Sequence, residues 1–293
     1  VVISLVSEGA QRFVDAEVAP LGLVAEPGPS KGPGTGGAPR HSVAIAGIGT
    51  TAPKAVRGAL LAEALADQGY TVASATPYVS PAELMADPAW QLGVVLSPWK
   101  REVGAHCHRL TPSAEKTGVV DTILRTGDGP IGFNTNTWAA QSALEFLLGG
   151  AKPESVLLLG SGASARSVAL AVRRAWPECQ ILVAARSVEG AEALAKEFSG
   201  LAPYEPGSAR LDVVVNTTTW GETEASEAEP MGIDLDGVFL PGCAFFDLNN
   251  RVGSLPLQAL QAGCEVISGA VMQRVTNASR AALVTFAGRT KID

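Results

Sequence analysis

The stretch from residue 155 to 170, SVLLLGSGASARSVAL, constrains this chain more than any other. An apolar run, Val156 to Leu159, stops at Gly160, and Gly162 and the small Ala165 lead into a helical pattern. Buried strand, tight glycine turn and helix start follow in the order that a dinucleotide fold needs. Gly160 permits the sharp turn. Gly162 has no side chain to keep backbone N–H groups from a pyrophosphate, and Ala165 is small enough for the helix to lie on the strand. The phosphates then sit at the positive end of the helix dipole. Alone, the pattern also fits an ordinary βα turn. The strand before it and a second strand at 180–185 favour a nucleotide site.

The 293 residues suffice for two domains with a large core. Hydrophobic residues make up 46% and charged residues 17%, a balance that suits parallel strands packed under helices. A net charge of −7 argues against a nucleic-acid partner, which would need a basic face. The cysteines at 107, 179, 243 and 264 show no CxxC spacing and read as reduced thiols of a cytoplasmic protein. No apolar run reaches the ~18 residues of a membrane span. The initial VVISLV lacks the basic flank and cleavage site of a signal peptide. His106-Cys107-His108 looks like a metal cluster, but positions i and i+2 do not share a helix face, and no metal site is expected.

Along the chain, residues 1–25 read as a short strand, Val1 to Val6, and a helix, Glu8 to Val18. EPGPSKGPGTGGAPR, 26–40, is a flexible Gly/Pro linker. Strands are expected over 42–48, 70–75, 93–96 and 119–125, and helices over 54–68, 81–86 and 137–148, with another opening at Pro98. The second half reads as strands over 156–159, 180–185, 212–216, 244–248 and 265–267. Its helices are expected over 164–175, 189–198, 255–262 and 270–286, and the Glu-rich run 222–229 as a solvated loop. This alternation predicts an α/β chain with a parallel, doubly wound sheet in each half.

Several landmarks recur in one order: VVLSPWK (94–100), VVDTILR (119–125), GFNTNTW (132–138), GSGASAR (160–166), AAR (184–186), VVNTTTWG (214–221), DLNN (247–250) and SGAVM (268–272). As an ordered set they resemble the shikimate dehydrogenase family over about 42–290. The resemblance implies an N-terminal α/β substrate domain at 41–137, completed by 269–293 through a C-terminal helix that returns to it. It implies a Rossmann dinucleotide-binding domain at 138–268 and leaves 1–40 as extension and linker. The implied activity is an NADP-dependent interconversion of a carbonyl and an alcohol on a small, carboxylated molecule, by a monomer or homodimer.

In the cofactor half the family's glycine loop falls on Gly160, Gly162, Ala163 and Arg166, and its motif after the second Rossmann strand on Ala185-Arg186-Ser187. No carboxylate ends that strand to hold a ribose 2′-hydroxyl. Arg186 and Ser187 stand there instead, as a 2′-phosphate requires, so NADP is favoured over NAD. The family's second basic residue falls on Gly190. The resemblance also assigns Thr217, Thr218, Gly269 and Met272 to the cofactor, with Trp220 either covering the nicotinamide or packing.

The substrate half departs from the family. The hydroxyl-rich carboxylate turn falls on Thr50-Thr51-Ala52-Pro53, where Thr50 keeps one hydroxyl and Ala52 loses the other. In the lysine motif an Asn becomes Val94 and a Thr becomes Leu96, while the catalytic lysine stands as Lys100. The substrate-binding Asn becomes Asp121, the catalytic Asp becomes Asn136, and the glutamine of the returning helix becomes Thr276. A polyol such as shikimate would leave buried hydrogen bonds unmet in so dry a site, at about 1–3 kcal/mol each, so a less hydroxylated or differently substituted ring, or a quite different carbonyl compound, is expected. The Asp121/Asn136 exchange has two readings. Either both side chains reach Lys100, so that a carboxylate still orients an ammonium that exchanges a proton with the carbonyl oxygen, or Asp121 is structural and the chain is a silent nucleotide- or metabolite-binding homologue. A genuine shikimate or quinate dehydrogenase with an adapted site is the remaining alternative.

Overall fold

The computed structural model describes residues 2–23, 41–205, 207 and 210–287, and the expected linker at 26–40 lies outside them. The chain forms two units, 1–138 with 274–293, and 139–273. In the first unit, β1 (His41–Ile48), β2 (Tyr70–Tyr78), β3 (Leu92–Val95), β4 (Arg109–Leu110), β5 (Thr122–Thr126) and β6 (Gly129–Phe133) form one sheet in the order β2-β1-β3-β5-β6-β4. β1 is parallel to β2 and β3, but β5 runs antiparallel to β3 and to β6. The expectation of a wholly parallel sheet here is thereby corrected. Only Gly127 and Asp128 separate β5 from β6, and Gly129 sits at φ +125°. So short a connection makes a hairpin and cannot make a parallel crossover.

The helices of this unit are α1 (Val2–Phe13), α2 (Ala52–Ala55), α3 (Ala59–Asp67), α4 (Pro81–Ala86), α5 (Pro112–Thr117) and the first turn of α6 (Thr135–Leu148). The expected strand at Val1 to Val6 is corrected, because residues 2–13 are helical and continue through a π turn, Val14–Val18. That winding buries Phe13 and Val18 against Leu124, Ile131, Phe133 and Trp138. The helix expected over 54–68 breaks at Gly58, whose ψ of 137° is extended, and Leu61 and Leu65 of α3 face Val43 and Ile45. The helix expected to open at Pro98 takes the form of two 3-10 turns, Trp99–Arg101 and Val103–His106.

In the second unit β7 (Ser155–Leu159), β8 (Gln180–Ala184), β9 (Val213–Asn216), β10 (Ala244–Asp247) and β11 (Glu265–Ser268) are all parallel, in the order β11-β10-β9-β7-β8. The strand order reverses between β7 and β9, the switch point at which open α/β sheets take ligands. Helices α7 (Ala163–Ala175), α8 (Val188–Glu197), α9 (Glu224–Ala228) and α10 (Ser254–Gln261) follow their strands, and α11 (Gly269–Val284) carries the chain back into the first unit. α9 corrects the solvated loop expected at 222–229. Thr223 and Ser226 form a reciprocal capping box, and Glu227 accepts hydrogen bonds from Arg251 and from the Ser254 N–H.

The N-terminal segment belongs to the first unit. Glu17 is buried and accepts from the Ser113 N–H at 3.2 Å and from Trp138 Nε1 at 3.0 Å. Glu17→Ala strands both donors, and we expect it to cost about 2–4 kcal/mol, read as a lower urea midpoint. An unchanged midpoint would show that this segment does not support the fold.

Candidate functional site

β1 and β3 end side by side, with Ile48 opposite Val95. Because β5 is reversed, it begins where they end: Val94 pairs with Thr122, and Thr122 with Phe133, the last residue of β6. Four segments therefore leave the sheet at one edge, and they carry Thr50, Leu96, Lys100, Asp121 and Asn136. Backbone bonds tie them together. Leu96 N–H donates to Ile48 O at 2.8 Å, Val95 N–H to Asp121 O at 2.9 Å, and Val120 N–H to Lys100 O at 2.7 Å. Thr50 donates to Ser97 O from its N–H at 3.0 Å and from its hydroxyl at 3.3 Å. The two turns meet at Gly49, where φ is +125° and a Cβ would come 2.8 Å from Leu96 Cβ. Lys100 is buried, at 8% exposure.

Asp121 is the hub of this edge and has no exposed surface. Its Oδ1 accepts from Thr122 Oγ1 at 2.6 Å and Thr135 Oγ1 at 2.5 Å, and its Oδ2 from the Asn136 N–H at 2.7 Å. Arg280 of α11 lies 3.8 Å from Oδ1 and donates to Thr122 Oγ1, to Asp121 O and to Asn277 Oδ1. Burial pushes the Arg280 guanidinium below its usual range, and the Asp121 charge acts in the opposite direction. One helical turn away, the Thr276 hydroxyl donates to Asn136 Oδ1 at 3.5 Å. The structure thus joins Asp121, Asn136 and Thr276 and adds Arg280, which the sequence reading missed. The available signal was an arginine one helical turn before the buried Leu283 and Val284, on a buried helix face, a position that requires a counter-ion.

In the second unit, β7 ends at Leu159 and the chain turns at Gly160, with φ +105°. A Cβ there would meet Thr218 Cγ2 at 2.9 Å and Thr217 Oγ1 at 3.0 Å. Thr217 donates to Leu159 O at 2.7 Å and Thr218 to Asn216 Oδ1 at 2.7 Å, so both threonines sit at the switch point. Gly162 caps α7 without a side chain, and nothing lies within 4 Å of where a Cβ would be. Open space at the N-terminus of a helix fits a pyrophosphate. Ser187 accepts from the Gly190 N–H at 3.0 Å and donates to Glu189 at 3.2 Å. A Cβ on Gly190 would lie 2.7 Å from Ser161 Oγ, a packing reason for the glycine. Arg186 is exposed at the end of β8, while Arg166 is bound to Glu197. Gly269 faces Leu248, whose carbonyl oxygen a Cβ would approach to 2.0 Å, and Met272 is buried.

Asp247, beside Asn216 at the ends of β10 and β9, holds the loop after β9. It accepts from Asn216 Nδ2 and the Asn249 N–H, both at 3.0 Å, and both asparagines donate to Trp220 O. The Trp220 indole donates to Glu229 O at 2.7 Å and packs on the core of this unit. Burial raises the Asp247 carboxyl to about 6, against the pull of these hydrogen bonds. Burial also pushes the Cys107 thiol up to about 12, and no group of three or more metal-ligating residues occurs among the described residues.

No protein-family model matches the chain. A shikimate dehydrogenase (NADP(+)) of Methanocaldococcus jannaschii is 32% identical over 163 residues, 50% of this chain and 56% of that protein. One from Cellvibrio japonicus is 31% identical over 171 residues, 56% and 59% of the two lengths. The solved shikimate 5-dehydrogenase of Thermus thermophilus, in complex with NADP(H) and shikimate, matches with a TM-score of 0.71 and 26% identity over 82% of this chain and 92% of that one. The chain is shikimate dehydrogenase-like. It spans somewhat under three-fifths of the length of those two curated relatives.

In this shikimate dehydrogenase-like architecture two buried carboxylates make measurable predictions. Asp121→Asn leaves the Arg280 guanidinium buried without a counter-charge and is expected to cost about 3–5 kcal/mol, most of it regained in the double variant with Arg280→Met. Equal losses in the single and double variants on chemical denaturation would contradict the pairing. For Asp247, the folded state holds a proton that the unfolded chain has released between about pH 4 and 6. Stability therefore falls as pH rises through that window, by roughly 2–3 kcal/mol. Asp247→Asn keeps the acceptor and should flatten that slope; urea midpoints from pH 4.5 to 7.5 that fall equally in both proteins would count against it.

Proposed function

We propose that this chain is an NADP-dependent oxidoreductase that interconverts a carbonyl and an alcohol on a small, carboxylated molecule less hydroxylated than shikimate. The observation that carries the reading is the gathering of Thr50, Leu96, Lys100 and Asn136 on one sheet edge, in a chain whose other sheet has an open, uncapped glycine turn at its switch point. The curated relatives, which are NADP(+) enzymes, support it. NADPH, when bound, supplies a hydride. Lys100 gives a proton to the substrate oxygen in reduction and takes it back in oxidation. The Thr50 hydroxyl donates to the substrate carboxylate, and the Asn136 amide holds a substrate oxygen. Leu96 presents a methyl-rich wall that leaves a ring hydroxyl unpaired, at about 1–3 kcal/mol. Asp121 moves no proton in this reading. Its oxygens already accept from three donors and face Arg280, so it acts by fixing Asn136.

That engagement of Asp121, with an amide at position 136, is also the one observation that favours a silent nucleotide- or metabolite-binding homologue. Titration of NADPH by its fluorescence, followed by NADP(+) reduction with shikimate and with quinate, separates the readings. We expect NADPH to bind and both polyols to turn over slowly, with Lys100→Met lowering kcat by about 10²–10⁴ on any accepted substrate. Absence of NADPH binding would contradict the oxidoreductase reading, and fast turnover of shikimate would contradict the narrowed substrate.

A further inference from the structure

Two strands of the second sheet begin in the same way. Gly242-Cys243 leads into β10 and Gly263-Cys264 into β11, and both glycines sit at φ +84°. The parallel register that sets Ala244 opposite Glu265 extends back by one step. The Glu265 N–H donates to Cys243 O at 3.0 Å and the Gly242 N–H to Gly263 O at 3.3 Å, so Cys243 stands beside Cys264. Neighbouring strands run about 4.8 Å apart, inside the Cα spacing of roughly 4.4–6.8 Å that a disulfide spans. The two thiols also share a side of the sheet. Both are buried in one apolar cluster with Leu255 and Ala259 of α10. Leu240 O accepts from the Cys243 N–H at 3.0 Å and from the Cys264 thiol at 3.5 Å. Burial and the neighbouring thiol push Cys243 up to about 12. Burial raises Cys264 as well, but there the hydrogen bond from Cys243 acts the other way, so Cys264 ionises first. Cys179 precedes β8, at the far edge of the same sheet, and Cys107 belongs to the first unit. The pair lies at the opposite end of β10 from Asp247, away from the candidate ligand edge.

We propose that Cys243 and Cys264 form a dithiol site that hydrogen peroxide oxidises to a disulfide, tying the starts of β10 and β11 together. The Cys264 thiolate attacks one peroxide oxygen, the O–O bond breaks, and hydroxide leaves a sulfenic acid on Cys264. The Cys243 sulfur then attacks that sulfur. The S–S bond forms, and the sulfenic hydroxyl departs as water with the Cys243 proton. In sum two thiols lose two electrons and one peroxide becomes two waters. A dithiol reductant reverses the step by exchange. Because both thiols are buried, the reaction is slow and is confined to small oxidants. The cross-link closes the loop that contains α10, which restricts the unfolded chain and stabilises the oxidised form. The site is independent of the oxidoreductase reading.

The test treats the folded parent with hydrogen peroxide, alkylates the remaining thiols in urea and maps the tryptic peptides by mass. Arg251 stands between the two cysteines, so the cross-link joins two separate peptides. The joined pair should be lighter by two hydrogens than its two peptides together, and dithiothreitol should part them. Cys107 and Cys179 should remain alkylated. The oxidised protein should have a higher urea midpoint than the reduced one. In Cys243→Ala, dimedone should label Cys264 as its sulfenic acid, and in Cys264→Ala, Cys243 should stay a thiol. If either variant fails to fold, the peptide map of the parent decides alone. Alkylation of all four cysteines after peroxide treatment, a disulfide to Cys107 or Cys179, or sulfinic acid at Cys243 or Cys264 without a cross-link would overturn the proposal. Dimedone labelling of Cys243 in place of Cys264 would overturn the order of attack, and a midpoint that does not rise would overturn the stabilising tie.

Discussion

The hydrogen bonds that set Val94 opposite Thr122 and Thr122 opposite Phe133 run antiparallel, and this reversal puts the start of β5 at the edge where β1 and β3 end. Asp121, the residue just before β5, is thereby delivered to the middle of that edge and wholly buried. An isolated carboxylate there would be costly, by several kcal/mol even after relaxation. The chain answers with two hydroxyls, the Asn136 N–H and Arg280 from α11. Those bonds in turn fix the start of α6 and the position of Thr276. The placement of Asn136 beside the turns that carry Thr50 and Lys100 thus depends on the direction of one short strand.

The two sheets were unequally legible in the sequence. β7, β8, β9 and β10 are buried along nearly their whole length, so they appear as apolar runs between glycine turns. Val1 to Val6 presents a similar short apolar run but is wound into a helix, because so short a run has no periodicity that separates strand from helix. The break at Gly58 was within reach of propensity alone. Others were not. The capping box at Thr223 has Ser226 where the usual signature has Glu or Gln. Arg280 and Asp121 are 159 residues apart, and nothing local to either announces the other.

The glycine turn that organises the sequence proves to be the conventional part of the chain. Its neighbours explain several departures from the family pattern in packing terms. A Cβ at Gly190 would lie 2.7 Å from Ser161 Oγ, and Gly269, which matches the family pattern, is held to glycine by the Leu248 carbonyl. Trp220 is held at both ends, its carbonyl by Asn216 and Asn249 and its indole by Glu229 O, with Asp247 behind them. On the substrate side Asp121 is accounted for by its three donors and Arg280, and Leu96 packs in part on the core around Val43 and Val94. Leu96 and Asn136 border the proposed substrate row and change what it can bind.

The central claim is that this row accepts a carbonyl compound poorer in hydroxyls than shikimate and works through Lys100. The most direct measurement follows NADPH oxidation under single-turnover conditions with a series of cyclic keto-carboxylates graded by hydroxyl number. The account predicts that the rate rises as hydroxyls are removed and collapses in Lys100→Met for every member of the series. A rate that is highest with the fully hydroxylated ring, or a series that Lys100→Met leaves untouched, would contradict it.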